Sequence, residues 1–178
     1  MFKDLNPFVP SERCLRCDGC CRFQQPDTYW QPKITAEEKE SASAASRTAR
    51  GVLKITDRSQ GKVPTIAYAD YYICHFFNPA DNTCGIYHVR PFECQLYPFL
   101  LIRERDIFQC GVHLLCPHVQ EVHPTEAWFM YLRYLRDFFT RKDVRVFLKR
   151  NPGLFGEYPG GESEIELLFT FESLKSPR

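Results

Sequence analysis

The feature that most constrains this chain is Cys14–Cys21, a loop that holds four thiols in eight residues with the spacing C-x2-C-x2-C-C. Gaps of two residues let successive thiolates turn inward from one loop and meet a common metal ion or cluster. We expect Gly19 to permit the tight turn that such a loop requires. Because neighbouring side chains diverge, Cys20 and Cys21 are expected to serve different positions or different metals. The loop therefore predicts a metal site.

Five more cysteines lie between residues 74 and 116, and the stretch Cys84–Pro98 is the densest part of this region. Arg90, before Pro91, would place a permanent cation beside bound thiolates, which carry net negative charge. The hydroxyl of Tyr97 could donate a hydrogen bond to a sulfur. We therefore assign Arg90 and Tyr97 to the surroundings of the bound metal.

The nine cysteines could form either a metal site or a disulfide framework, and the composition of the chain favours the metal site. The chain has nine cysteines in 178 residues, and its first residues lack the apolar core of a signal peptide. No apolar run reaches the roughly 18 residues of a membrane span. We therefore expect a cytoplasmic protein, in which clustered thiols indicate metal or catalysis. The net charge of +1 makes nucleic acid an unlikely main partner, although a protein client is compatible with it.

The pattern along the chain predicts one α+β domain over residues 1–178, with cysteine-rich loops, short β-hairpins and a C-terminal helical section. Thr35 and Glu38 form a capping box for a surface helix that continues to Arg50. A helical section and a terminal strand are expected within residues 124–172, with a break near Thr140. The predicted strands are Val52–Asp57, Val63–Tyr68, Tyr71–Phe77, Phe99–Glu104, Ile107–Val112 and Ile165–Phe171. We expect the first two to form a hairpin, and Phe99–Glu104 and Ile107–Val112 to form a second hairpin that turns at Arg105-Asp106.

The two cysteine-rich stretches together, over residues 14–117, resemble the CxxCxxCC cysteine-cluster proteins, a family described as zinc- or iron-chelating. Flagellin lysine N-methylases contain a version of this region. The usual Arg after the last motif cysteine and Phe before the proline are replaced here by Gln95 and Tyr97. The resemblance implies metal chelation by most or all of the nine cysteines, Cys14, Cys17, Cys20, Cys21, Cys74, Cys84, Cys94, Cys110 and Cys116.

The identity of the metal and its role remain open between alternatives. Three cysteines at C-x2-C-x2-C with a remote fourth favour an iron–sulfur cluster, [4Fe–4S], over a zinc site built from two C-x2-C pairs. The first functional hypothesis is an iron–sulfur protein with a redox, cluster-handling or accessory role. The alternatives are a zinc-binding structural or interaction module, and a metal-dependent enzyme of the protein-lysine methyl-transfer type.

Overall fold

The computed structural model describes residues 2, 4–17, 19–46 and 61–171 of the chain. Helices and antiparallel sheets alternate within these ranges, which confirms the predicted α+β class and its C-terminal helices. None of the helices in these ranges combines the length and the apolar character needed to cross a membrane.

Most helices and strands are short, and the two longest helices have 15 and 11 residues. The helices are α1 (Ser11–Cys14), α2 (Ala36–Ser46), α3 (Phe92–Leu96), α4 (Pro117–Val122), α5 (Glu126–Thr140) and α6 (Lys142–Arg150). The strands are β1 (Arg22–Phe23), β2 (Thr65–Tyr68), β3 (Tyr71–Cys74), β4 (Phe77–Asn78), β5 (Thr83–Cys84), β6 (Phe99–Glu104), β7 (Ile107–His113) and β8 (Ile165–Thr170). Single 3-10 turns occupy Tyr87–Val89, Pro152–Leu154 and Glu162–Glu164.

The chain divides into two compact units. The cysteine unit comprises Met1–Lys3 and Pro10–Gln95, and the sheet unit comprises Asp4–Val9 and Leu96–Arg178. The prediction of a single domain over residues 1–178 stays a prediction, and each unit is described by itself below.

The cysteine unit has a three-stranded antiparallel sheet in the order β1-β3-β2 and a second, two-stranded pair, β4-β5. Ile73 on β3, Phe77 on β4 and Ala42 on α2 are almost fully buried in one apolar cluster. Thiols lie at its edge, because Cys74 belongs to the cluster and Cys21 and Cys84 pack against it. The small core thus supports the segments that carry cysteines.

Helix α2 begins with the predicted capping box. The Glu38 carboxylate accepts the Thr35 N–H at 2.8 Å, and the Thr35 hydroxyl accepts the Glu38 N–H at 3.3 Å. The expectation of a surface helix is wrong for one face, because Ala42, Glu38 and Ser46 are buried. Small side chains at Ala42 and Ser46 let the helix approach the core without large apolar residues. The predicted continuation to Arg50 lies outside the described residues.

The strands of the cysteine unit differ from prediction in two places. Strand β2 pairs with β3 through a turn at Ala69, whose φ is 52°, while the expected partner Val52–Asp57 lies outside the described residues. The run predicted as Tyr71–Phe77 is not one strand: β3 ends at Cys74, and the His75 N–H donates to the Pro64 carbonyl at 2.9 Å. The chain then enters β4, which pairs with β5.

The sheet unit is built on the antiparallel order β6-β7-β8. The hairpin β6–β7 turns at Arg105 with φ 55°, as predicted for the pair Arg105-Asp106. Gly111 on β7 lies where the register with β8 shifts, and an added Cβ would come within 2.6 Å of Ile102 and 2.9 Å of Ile165. A glycine is required there because two strands approach too closely for a side chain.

The helical section of the sheet unit confirms the predicted break. The Thr125 hydroxyl caps α5 by accepting the Trp128 N–H, and α5 ends at Thr140 before α6 begins at Lys142. The predicted apolar face of α5 is buried at Trp128, Leu135, Phe138 and Phe139. Helices α1, α3 and α4 were not predicted, because four to six residues are too few to show a helical period.

Candidate metal centre

The Cys14–Cys21 loop begins as a helical turn and is closed by local hydrogen bonds. Cys14 ends α1, and its carbonyl accepts the Cys17 N–H at 3.2 Å. The Gly19 carbonyl accepts the Arg22 N–H at the same distance and leads the chain into β1. The expected tight turn therefore forms at Gly19, where an added Cβ would touch the Cys17 sulfur at 3.7 Å.

Sheet pairing brings the loop to the later cysteines of the same unit. The Cys21 carbonyl accepts the Cys74 N–H at 2.9 Å, where β1 pairs with β3. Cys84 is opposite Phe77 in the β4–β5 pair, just after β3 along the chain. Cys94 is on α3. The fold of the cysteine unit therefore collects thiols from residues 14 to 94 that are dispersed in sequence.

The thiols of the cysteine unit lie close enough together to change one another's pKa. Burial raises the pKa of Cys94, and the thiols of Cys74, Cys20 and Cys84 raise it further. Burial raises the pKa of Cys74 to about 12, with further contributions from Cys84 and Cys20. Burial also raises the pKa of Cys14, followed by Cys20. Electrostatic contributions or hydrogen bonds link seven thiols in this way: Cys14, Cys17, Cys20, Cys21, Cys74, Cys84 and Cys94.

The adjacent pair Cys20 and Cys21 is asymmetric. The Cys20 thiol donates a hydrogen bond to the Cys21 sulfur, and this bond is the main cause of the strongly raised pKa of Cys20. The same bond lowers the pKa of Cys21, while burial and the thiols of Cys74, Cys94 and Cys84 raise it, with a net increase. Cys21 is therefore the acceptor of the pair.

Arg90 lies beside the thiols, where the sequence predicted a cation. Its Nη1 is 3.8 Å from the Cys14 sulfur, and its guanidinium lies 4.2 Å from the centre of the Tyr87 ring. The Tyr87 hydroxyl in turn bonds the Ser11 hydroxyl at 3.0 Å. Arg90 opposes the increase in the pKa of Cys14 and of Cys84, because a nearby cation stabilises a thiolate.

Arg22 directly follows the cysteine loop, and its structural role was not predicted from the sequence. Its guanidinium bonds the Tyr71 hydroxyl and, at 3.2 Å, the Asn82 side-chain oxygen. It also lies 5.3 Å from the ring centres of Tyr71 and Phe77. These contacts fasten the end of the loop to β3 and to the turn after β4. Its partners are 49 and 60 residues away, so no local pattern could have identified them.

The other predicted site residues belong to the sheet unit. Cys110 is fully buried on β7, and burial raises its pKa while Arg136 opposes the shift. Cys116 is buried before α4. The Tyr97 hydroxyl bonds His113 Nδ1 at 2.9 Å, and the pKa of His113 is lowered mainly by burial. The assignment of Cys110, Cys116 and Tyr97 to the metal site stays a prediction.

The thiols of the cysteine unit fit a metal or cluster in donor chemistry and number. Thiolate is the ligand type of zinc and of iron–sulfur clusters, and each takes four thiolates in its all-cysteine form. Among the residues that the structure describes, no three Cys, His, Asp or Glu side chains stand in an arrangement ready to hold a metal ion. Ligation by these thiols is accompanied by loss of their protons.

Comparison with known proteins identifies one family. The family model CxxCxxCC, whose description is "putative zinc- or iron-chelating domain", matches residues 13–125. This range contains all nine cysteines, as well as Arg90 and Tyr97. No curated protein and no solved structure matches the chain significantly.

Proposed function

The chain belongs to the CxxCxxCC family and is a metal-binding cysteine-cluster protein, and from this premise we propose that its cysteine unit carries an iron–sulfur cluster. The observation that carries the proposal is the set of seven thiols in one unit, each of which is coupled to at least one other thiol of the set. Zinc and [4Fe–4S] each take four thiolates, so the number of thiols does not separate them. The spacing favours the cluster, because Cys14, Cys17 and Cys20 follow the pattern C-x2-C-x2-C and a fourth ligand can come from a remote cysteine.

The residues of the chain have separate tasks in this proposal. The coupled thiols supply the ligands, and the raised pKa values of Cys74 and Cys94 keep these two protonated until a metal provides the counter-charge. Arg90 partly offsets the negative charge that accumulates around Cys14. When bound, a cluster of this class supplies one-electron transfer. We propose a redox or cluster-handling role, with a protein client as the partner.

The first test is to purify the protein without oxygen, record its visible spectrum, and quantify iron, sulfide and zinc per chain. We expect a brown protein with a broad absorption band near ~400 nm and about four iron and four sulfide per chain, as for cysteine-ligated [4Fe–4S]. A colourless protein with stoichiometric zinc and no sulfide would replace the cluster with a zinc site. A protein with neither would contradict metal binding by this chain.

A further inference from the structure

Two buried carboxylates lie at the helix that carries Cys94. Glu38 on α2 is 5% exposed, and Glu93, the neighbour of Cys94 on α3, is 6% exposed. Burying a charged group is costly unless other groups satisfy it, so each carboxylate should have specific partners. Both carboxylates have such partners, and these hydrogen bonds connect α2 and the segment before it to α3.

Glu38 uses its two oxygens on two different segments. One oxygen accepts the Thr35 N–H at 2.8 Å within the capping box of α2. The other accepts the Phe92 N–H, the first of α3, at 2.7 Å. Residue 91, which precedes α3, is a proline and has no side-chain acceptor for this N–H. The acceptor therefore comes from a residue 54 positions earlier.

The residues on either side of Cys94 are also held in place. Lys33 binds the Glu93 carboxylate with its ammonium at 3.0 Å and with its backbone N–H. The Gln95 amide donates to the Arg90 carbonyl at 2.8 Å, which ties Gln95 to the segment just before the short helix. Five residues form too little helix to be stable alone, so these outside contacts decide where Cys94 lies.

We propose that Glu38 is the positioning residue for Cys94: its carboxylate bridges the first turns of α2 and α3 and thereby sets the Cys94 thiol among the other thiols before metal arrives. The proposal rests on the proposed function, because it assigns Cys94 to the ligand set. It adds a residue that does not touch the metal and acts through the backbone of α3.

The test variant is Glu38→Gln, which keeps the size of the side chain and has only one oxygen acceptor for two N–H donors. Its matched control is Glu37→Gln, because Glu37 is the adjacent carboxylate on the same helix and is exposed. The first measurement is the iodoacetamide alkylation rate of each cysteine in the metal-free chain, read by mass spectrometry. The second is the affinity for Co²⁺, a spectroscopic probe of thiolate sites.

In Glu38→Gln we expect Cys94 to react about ten-fold faster, the size of a lost helix cap, with the Cys110 rate unchanged. Co²⁺ affinity should fall by about ten-fold, as for loss of a residue that supports a metal ligand. Glu37→Gln should match the wild type in both measurements. A wild-type Cys94 rate in Glu38→Gln, or equal acceleration of all nine cysteines, would overturn the positioning role.

The two measurements separate this proposal from the proposed function. If the wild type binds neither Co²⁺ nor a cluster, metal binding fails, while the alkylation rates still report whether Glu38 orders Cys94. If Glu38→Gln does not fold, Glu38→Asp replaces it, because it keeps the charge but is one methylene too short to reach both donors. If neither variant folds, Glu38 has a general structural role and the proposal is overturned.

Discussion

The two units of this protein place buried cysteines in different surroundings. In the cysteine unit, burial raises the pKa of Cys94, and neighbouring thiols raise it further. In the sheet unit, burial raises the pKa of Cys110, and the cationic Arg136 opposes it. Cys110 lies opposite Leu101 and Phe169 in the sheet, where a thiol packs as a small apolar side chain. A raised pKa is therefore common to both cysteines, whereas the contribution of other thiols distinguishes Cys94 from Cys110.

Replacing one cysteine from each unit is the most direct test of the difference between the two units. Cys20→Ser should remove most of the bound metal, because a serine hydroxyl is a poor substitute for a thiolate ligand. Cys110→Ser should keep full metal content and lose about 1–3 kcal/mol of unfolding free energy, because it buries a hydroxyl in an apolar site. Metal analysis and chemical denaturation of both variants check the contrast. Metal loss in Cys110→Ser would instead make Cys110 a ligand.

The unfolding free energy at alkaline pH tests the burial of the Cys110 thiol. Its pKa is raised in the folded state above the ordinary 9.0, so its contribution to stability is complete below pH 9 and is lost as pH rises toward the folded pKa. One such thiol lowers the unfolding free energy by about 1.4 kcal/mol for each pH unit above 9. In the metal-free chain, Cys110→Ala should lower the total slope by that amount, because the other thiols with raised pKa values, such as Cys74 and Cys94, keep their own contributions. Denaturation from about pH 8 to 10.5 measures the slope. An unchanged slope would contradict the burial of this thiol.

Within the cysteine unit, replacing Arg90 should weaken metal binding less than replacing a cysteine does. Arg90→Gln should lower metal affinity by about ten-fold, because Cys14 loses the positive charge that stabilises its thiolate. Arg16→Gln is the control, since Arg16 is exposed between Cys14 and Cys17. Competition with a chelator measures both affinities. Equal metal affinities in the two variants would mean that Arg90 only packs on the Tyr87 ring and does not support metal binding.

The smallest effect is expected at Tyr97 in the sheet unit. Tyr97→Phe removes the hydrogen bond to His113 and should cost about 1 kcal/mol of unfolding free energy, the usual value for one such bond. Metal content should stay at the wild-type level. Denaturation and metal analysis check both statements, and a loss of metal would support the predicted place of Tyr97 beside the bound metal.

Regular segments with strong local signals were predictable from the sequence. The capping box at Thr35 and Glu38, the Arg105-Asp106 hairpin and the break after Thr140 are each encoded by residues a few positions apart. The short helix α3 was missed, because its stability comes from contacts with Glu38 and Lys33 far along the chain.

What the sequence alone determined is the chemistry of the protein: a loop of closely spaced thiols, a cation at Arg90, and membership of a metal-chelating family. Spacing and residue type suffice for this, because ligand chemistry is a property of side chains. Only the tertiary structure decided that Cys21 and Cys74 meet through sheet pairing, and that Glu38 caps the helix of Cys94. These contacts depend on packing between segments dozens of residues apart, which local patterns do not encode.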